Sequence, residues 1–88
     1  MSNIDKRAER LKKYCWIDEN GANKEKATKR LAYIYVCIYE NSTFDIPMES
    51  GLLTEKNDIY RTYNGDLVGK ANKECDRLWK IKYPNYKG

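Results

Sequence analysis

Lys70, Lys73, Arg77 and Lys80 recur at spacings of three, four and three residues. On a helix that spacing gathers four cations into one narrow ridge. A ridge of this kind can follow a phosphate backbone, each neutralised phosphate adding salt-sensitive affinity, or it can meet an acidic protein face. The segment beyond it adds Lys82, Tyr83 and Tyr86, two rings able to stack on bases beside another cation. Near the other end, Lys6, Arg10 and Lys13 share a second helical face, with Asp5 and Glu9 on the neighbouring one. These ten residues are the candidate contacts for a nucleic acid or an acidic partner.

Few other side chains suggest chemistry. Glu55 and Asp58 fall on one helical face, with Asp45 and Glu49 ahead of them. Paired carboxylates can hold Mg²⁺ or exchange protons, but this spacing is common on solvent-facing helices. The chain has no histidine, and Cys15, Cys37 and Cys75 stand far apart, so zinc would lack its usual ligands. They read as reduced, buried thiols. With no activated nucleophile and no Gly-rich phosphate loop either, the expectation is a protein that is not an enzyme and uses no cofactor, metal or small-molecule substrate. A helix-turn-helix placed around Gly65 fails, because Asp66 and Glu74 would fill positions that must be apolar.

Charge is laid out in blocks. Residues 1–30 carry a balance of +4, residues 31–69 one of −4, and residues 70–88 again +4, in a chain of net charge +4. Lys, Asn, Tyr and Ile together supply 35 of the 88 residues, and Lys outnumbers Arg 12 to 5. Such codons are A- and T-rich, which points to a low-GC bacterial or phage genome. The longest apolar run, residues 31–39, is too short for a membrane helix. Without a secretory signal the expected compartment is the cytoplasm, that of the host if a phage encodes it.

Periodicity predicts the elements that hold these residues. Ile4, Ala8, Leu11 and Cys15 form the apolar stripe of a helix over 3–19, with Asn20-Gly21 as its stop. Asn23 caps a helix over 23–40, whose second half, 31–39, is apolar nearly all round; the same nine residues could instead be a strand in an α+β fold. A third helix spans 51–64 with Leu52, Ile59, Tyr60 and Tyr63 inward. A fourth spans 66–82, capped by Asp66, with Leu67, Val68, Ala71, Cys75, Leu78 and Trp79 as its stripe. The expectation is an all-α bundle of about four helices in one domain, residues 1–88, with 83–88 an extended basic and aromatic tail. Tyr33, on the far side of the second helix from Leu31 and Ile34, is the candidate contact with another protein chain.

A small, basic, chemically quiet protein with spare tyrosines fits a non-catalytic accessory protein, phage or mobile-element encoded, that binds and modulates or inhibits a larger host protein or nucleoprotein. The alternative is direct, sequence-tolerant binding of DNA or RNA through the basic ridge.

Overall fold

Asn23 commits the chain to helix. In the computed structural model, which describes residues 11–86, its side-chain oxygen accepts the Lys26 backbone N–H at 3.0 Å. A cap of this kind contributes about 1 kcal/mol. Helix α1 then runs Lys24–Phe44, α2 runs Leu52–Tyr63 and α3 runs Val68–Lys82. Ahead of them lies a small antiparallel hairpin, β1 (Ile17–Asp18) against β2 (Gly21–Ala22), in the register Ile17↔Ala22 and Asp18↔Gly21. The described chain is thus mostly helical, with three long helices where four were expected.

The expected first helix accounts for the difference. Of residues 3–19, those numbered 3–10 lie outside the described residues. Beyond Leu11 the chain is turn and then hairpin rather than helix. Asn20-Gly21, expected as a helix stop, instead belongs to the hairpin: Glu19-Asn20 is its turn, and Gly21 opens β2 at φ +105°, where a side chain would be strained. Asp18 fixes that turn by accepting from the Asn20 N–H at 3.0 Å and from the Asn23 amide at 3.3 Å. The Asn23 N–H in turn donates to the Trp16 carbonyl at 2.7 Å. Trp16 therefore enters the core from the turn just ahead of β1, closed by the Ile17 N–H on the Tyr14 carbonyl at 3.1 Å.

Residues 31–39 are helix, which removes the strand alternative. Their all-round apolar character is used on several sides at once. Leu31, Ala32, Ile34, Tyr35 and Val36 are buried, in one core with Trp16 from the hairpin, Leu52 and Ile59 from α2, and Leu67, Ala71 and Cys75 from the α3 region. Helix α1 also runs past its expected end at Glu40, to Phe44. Packing of the Phe44 ring on Trp79 and Tyr83 outweighs the turn preference of Asn41-Ser42-Thr43. Asp45 closes the helix in the left-handed conformation at φ 57°, its N–H reaching the Asn41 carbonyl at 3.0 Å.

The fourth predicted helix begins later than expected. Leu67, not Asp66, holds the N-cap position of α3, and no side chain caps it. Burial of Leu67 in the core fixes where this turn sits.

Helices α1 and α3 run side by side in the same direction. Thr28 and Lys29 face Lys70 and Glu74 at one end, and Glu40 meets Lys82 at the other. The linker 45–51 runs back along α1 to bring Glu49, Ser50 and Gly51 beside Arg30, and α2 starts there. That return path makes the parallel α1–α3 pairing possible with short connections.

Candidate partner-binding surface

The ridge predicted on the last helix is present on α3. Lys70, Lys73, Arg77 and Lys80 are all exposed, on the side away from buried Ala71 and Cys75. They are not equivalent. Arg77 is turned onto Glu74 of its own helix in a forked pair, Nε to Oε2 at 3.1 Å, which partly neutralises it and holds its pKa up. Among the described residues no carboxylate lies within ion-pair distance of Lys70, Lys73 or Lys80. Those three lysines are the outward charge of the ridge.

The parallel packing adds cations that sequence spacing could not connect. A shallow groove of about 380 Å³ between α1 and α3 is lined by Lys24, Glu25, Thr28, Lys29, Lys70 and Glu74. Lys24 and Lys29 thereby extend the lysine surface across onto α1. The Lys29–Glu25 pair, at 3.7 Å and largely exposed, does little to offset this, since such pairs contribute well under about 1 kcal/mol.

Lys82 and Tyr83 have a different task. Both converge on Glu40 of α1, which is buried. The Lys82 ammonium lies 2.5 Å from Glu40 Oε2, and the Tyr83 hydroxyl donates to the same oxygen. These groups latch the end of α3 to α1. From residue 83, where an extended tail was expected, the described chain turns at Pro84-Asn85, and the Tyr86 N–H returns to the Tyr83 carbonyl at 3.2 Å.

The result is an aromatic cluster. Tyr83 and Tyr86 pack on Trp79, with ring centroids 4.6 and 5.7 Å away. Phe44 stacks parallel to Trp79 at 6.1 Å, and Tyr39 meets the Trp79 edge at 6.2 Å. Phe44, Tyr39 and Tyr86 keep 42, 48 and 43% of their surface exposed, so this is a surface patch and not a sealed satellite core. Sequence spacing points to Tyr83 and Tyr86 and to Trp79 on the apolar stripe, where it does pack against the core; it assigns no contact to Tyr39 or Phe44. The faint signals were the Trp79–Tyr83 spacing of four and the Tyr39–Phe44 spacing of five; only the α1–α3 pairing joins them.

The remaining candidates scatter. Tyr33 is exposed as expected, and its ring lies under the Arg30 guanidinium at 4.9 Å. A hydrogen bond with Cys37 is the main reason its pKa is raised. Lys13 is exposed on a cleft with Tyr14, Arg30 and Glu55, a lining that holds none of the ridge residues. Lys6 and Arg10 lie outside the described residues.

The reading of Glu55 and Asp58 as a solvent-facing pair is overturned. Both are buried. Glu55 accepts from Arg30 through both oxygens, at 2.7 and 3.0 Å, and from the Trp16 indole N–H at 3.1 Å. Asp58 accepts from the Tyr14 hydroxyl at 2.8 Å. The carboxylates hold the segment 14–16 and α1 against α2. Two tyrosines solve the same burial problem for themselves, as Tyr35 and Tyr60 share a hydroxyl–hydroxyl bond of 2.5 Å. Of the thiols, Cys75 is buried and its pKa is pushed up to about 11 by desolvation. Cys15 is exposed and Cys37 half-buried, so the expectation of three buried thiols holds for one.

The latch carries a pH signature. Desolvation raises the Glu40 pKa, but hydrogen bonds from Lys82 and Tyr83 outweigh it and hold the carboxyl below its usual 4.5. A depressed folded-state pKa contributes stability that is present above the unfolded value and lost as pH falls through the folded one. Thermal unfolding followed by circular dichroism should therefore show a loss of stability below about pH 4.5. Glu40→Gln should flatten part of that acid limb while lowering stability at pH 7. Superimposable acid limbs for the two proteins would mean that Glu40 is not held in this way.

Among the described residues no group of three or more His, Cys, Asp or Glu side chains could hold a metal ion. None of their helices is long and apolar enough to cross a membrane. Searches of protein-family models, curated proteins and solved structures find no match for this chain.

Proposed function

We propose that this is a small, non-catalytic accessory protein that binds a larger protein or nucleoprotein in the cytoplasm and modulates it, in the manner of phage-encoded regulators of host machinery. The observation that supports this best is the surface formed where α1 and α3 run parallel. Lysines from both helices line one flank, and Tyr39, Phe44 and Tyr86, exposed around a half-buried Trp79, occupy the end. Trp and Tyr dominate the energetics of macromolecular interfaces because they bring large area at small entropic cost. The buried carboxylates fit the same reading, since Glu40, Glu55 and Asp58 hold helices together and take no part in the outer surface.

The test is capture with a tagged chain from lysate of a low-GC bacterial host, beside a Phe44→Ser, Tyr86→Ser variant. The expected result is one assembly at fixed stoichiometry with the native chain and its loss with the variant. An assembly retained equally by both would remove the aromatic end from the binding surface. Absence of any stoichiometric assembly would overturn the reading.

A further inference from the structure

Three features of the α1–α3 surface bear on what kind of molecule it contacts. First, the unpaired cations of the ridge are all lysine. Lysine is depleted at protein–protein interfaces, where arginine is preferred for its planar fork. The one arginine here is occupied by Glu74. Lysine is nonetheless an effective point-charge partner for phosphate. Second, Lys70 and Lys80 are ten residues apart on one helix, about 15 Å at 1.5 Å per residue. That length accommodates a short run of consecutive phosphates. Third, the ridge ends at the same end of α3 as the aromatic cluster, Lys80 and Trp79 being sequence neighbours that project from different faces of the helix. A depression of about 220 Å³ opens there, lined by Tyr39, Thr43, Asp76, Trp79 and Tyr86 among others.

We infer that this surface binds single-stranded nucleic acid, with the backbone along Lys70, Lys73 and Lys80 and one or two bases against Tyr39, Trp79 and Tyr86. The inference rests on the accessory-binding reading above and names the chemistry of its partner as a nucleoprotein's exposed strand. A duplex hides its base faces in its own stack, so rings at the end of a ridge gain contacts only from an unpaired strand. Asp76 fits this division of labour. Its carboxylate repels phosphate from the aromatic depression and can accept from the exocyclic amino group of a base placed there.

The experiment uses the whole chain and a fluorescein-labelled 20-nucleotide mixed-sequence strand, as DNA and as RNA, followed by anisotropy. Parallel arms use the matching duplex and a poly-glutamate peptide of equal length. Three neutralised phosphates predict a log–log salt slope of about −2, so affinity should fall roughly 20-fold between 50 and 200 mM NaCl. Lys70→Glu with Lys73→Glu should abolish binding, and circular dichroism should show this double variant folded, since both side chains are exposed. Tyr39→Leu with Tyr86→Leu keeps apolar area but removes two π-faces, and should weaken binding about tenfold or more while leaving the salt slope in place. Trp16 is fully buried, so quenching of indole fluorescence by the strand should report Trp79.

Binding of poly-glutamate as tightly as the strand, with no effect of the leucine variants, would overturn the inference in favour of an acidic protein surface. Equal or tighter binding of the duplex would overturn it too, as would no binding at 50 mM NaCl. In that last case stoichiometric capture of a nuclease-resistant assembly would leave the accessory-protein reading standing. Strand binding by the purified chain without any captured assembly would do the reverse.

Discussion

Glu55→Ala should destabilise the protein by about 3–5 kcal/mol, the cost of stripping the partner from a buried ion pair. Glu55 is only 5% exposed and is the single acceptor that joins the Arg30 guanidinium to the Trp16 indole. Its removal leaves a half-buried cation and a buried N–H without an acceptor, and each carries a desolvation penalty. Against a total stability in the lower part of about 5–15 kcal/mol for a small domain, this is most of the reserve. Urea unfolding followed by circular dichroism is the measurement.

Should the alanine variant fail to fold, Glu55→Gln gives a second reading. It keeps an oxygen for the indole but turns an amide toward the guanidinium, so a loss of about 1.5–3 kcal/mol is expected. The double variant Glu55→Gln, Arg30→Met should recover part of that loss, since an apolar residue in place of an orphaned cation costs less. A change below about 1 kcal/mol in Glu55→Ala would mean that solvent already shares the pair as it does at a surface.

This network is also where sequence reasoning stopped short. Periodicity found α1, α2 and α3 because their apolar residues recur at helical spacing, and it found Asn23 because a cap acts within three residues. It sorted Glu55 and Asp58 by type, as charges belonging to solvent. Their burial depends on partners 25 and 44 residues away, Arg30 and Tyr14, and no local pattern encodes such a pairing. The N-terminal hairpin was missed for a related reason. Asn20-Gly21 serves equally to stop a helix or to lead from a hairpin turn into its second strand, and the choice turns on whether Trp16 has a core to enter. The basic ridge was legible because four residues on one helix need only the helix to be aligned. The aromatic patch was not, because Tyr39 and Phe44 meet Trp79, and Phe44 also meets Tyr83 and Tyr86, only once α1 and α3 lie parallel. The three-block charge pattern was legible as numbers yet misleading as a surface: its acidic centre places Glu40, Glu55 and Asp58 inside.

Trp16→Ala should be nearly as severe as the loss of Glu55, at about 3–5 kcal/mol. Trp16 is the largest fully buried side chain, and Tyr14 stacks on it at 5.2 Å with the planes 13° apart. Truncation leaves a cavity that the short hairpin, with only two residues per strand, has little freedom to fill. It also removes the anchor that holds the segment before α1 on α2. Trp16→Phe separates the two contributions. It keeps most of the ring volume and gives up the indole N–H, and Glu55 still has both Arg30 contacts, so the cost should drop to about 1 kcal/mol. The order of midpoints in urea should therefore be native, then Trp16→Phe, then Trp16→Ala, with the native near-UV signal weakened in both variants. A Phe variant as unstable as the Ala variant would show that the hydrogen bond to Glu55, and not burial of the ring, fixes this segment in place.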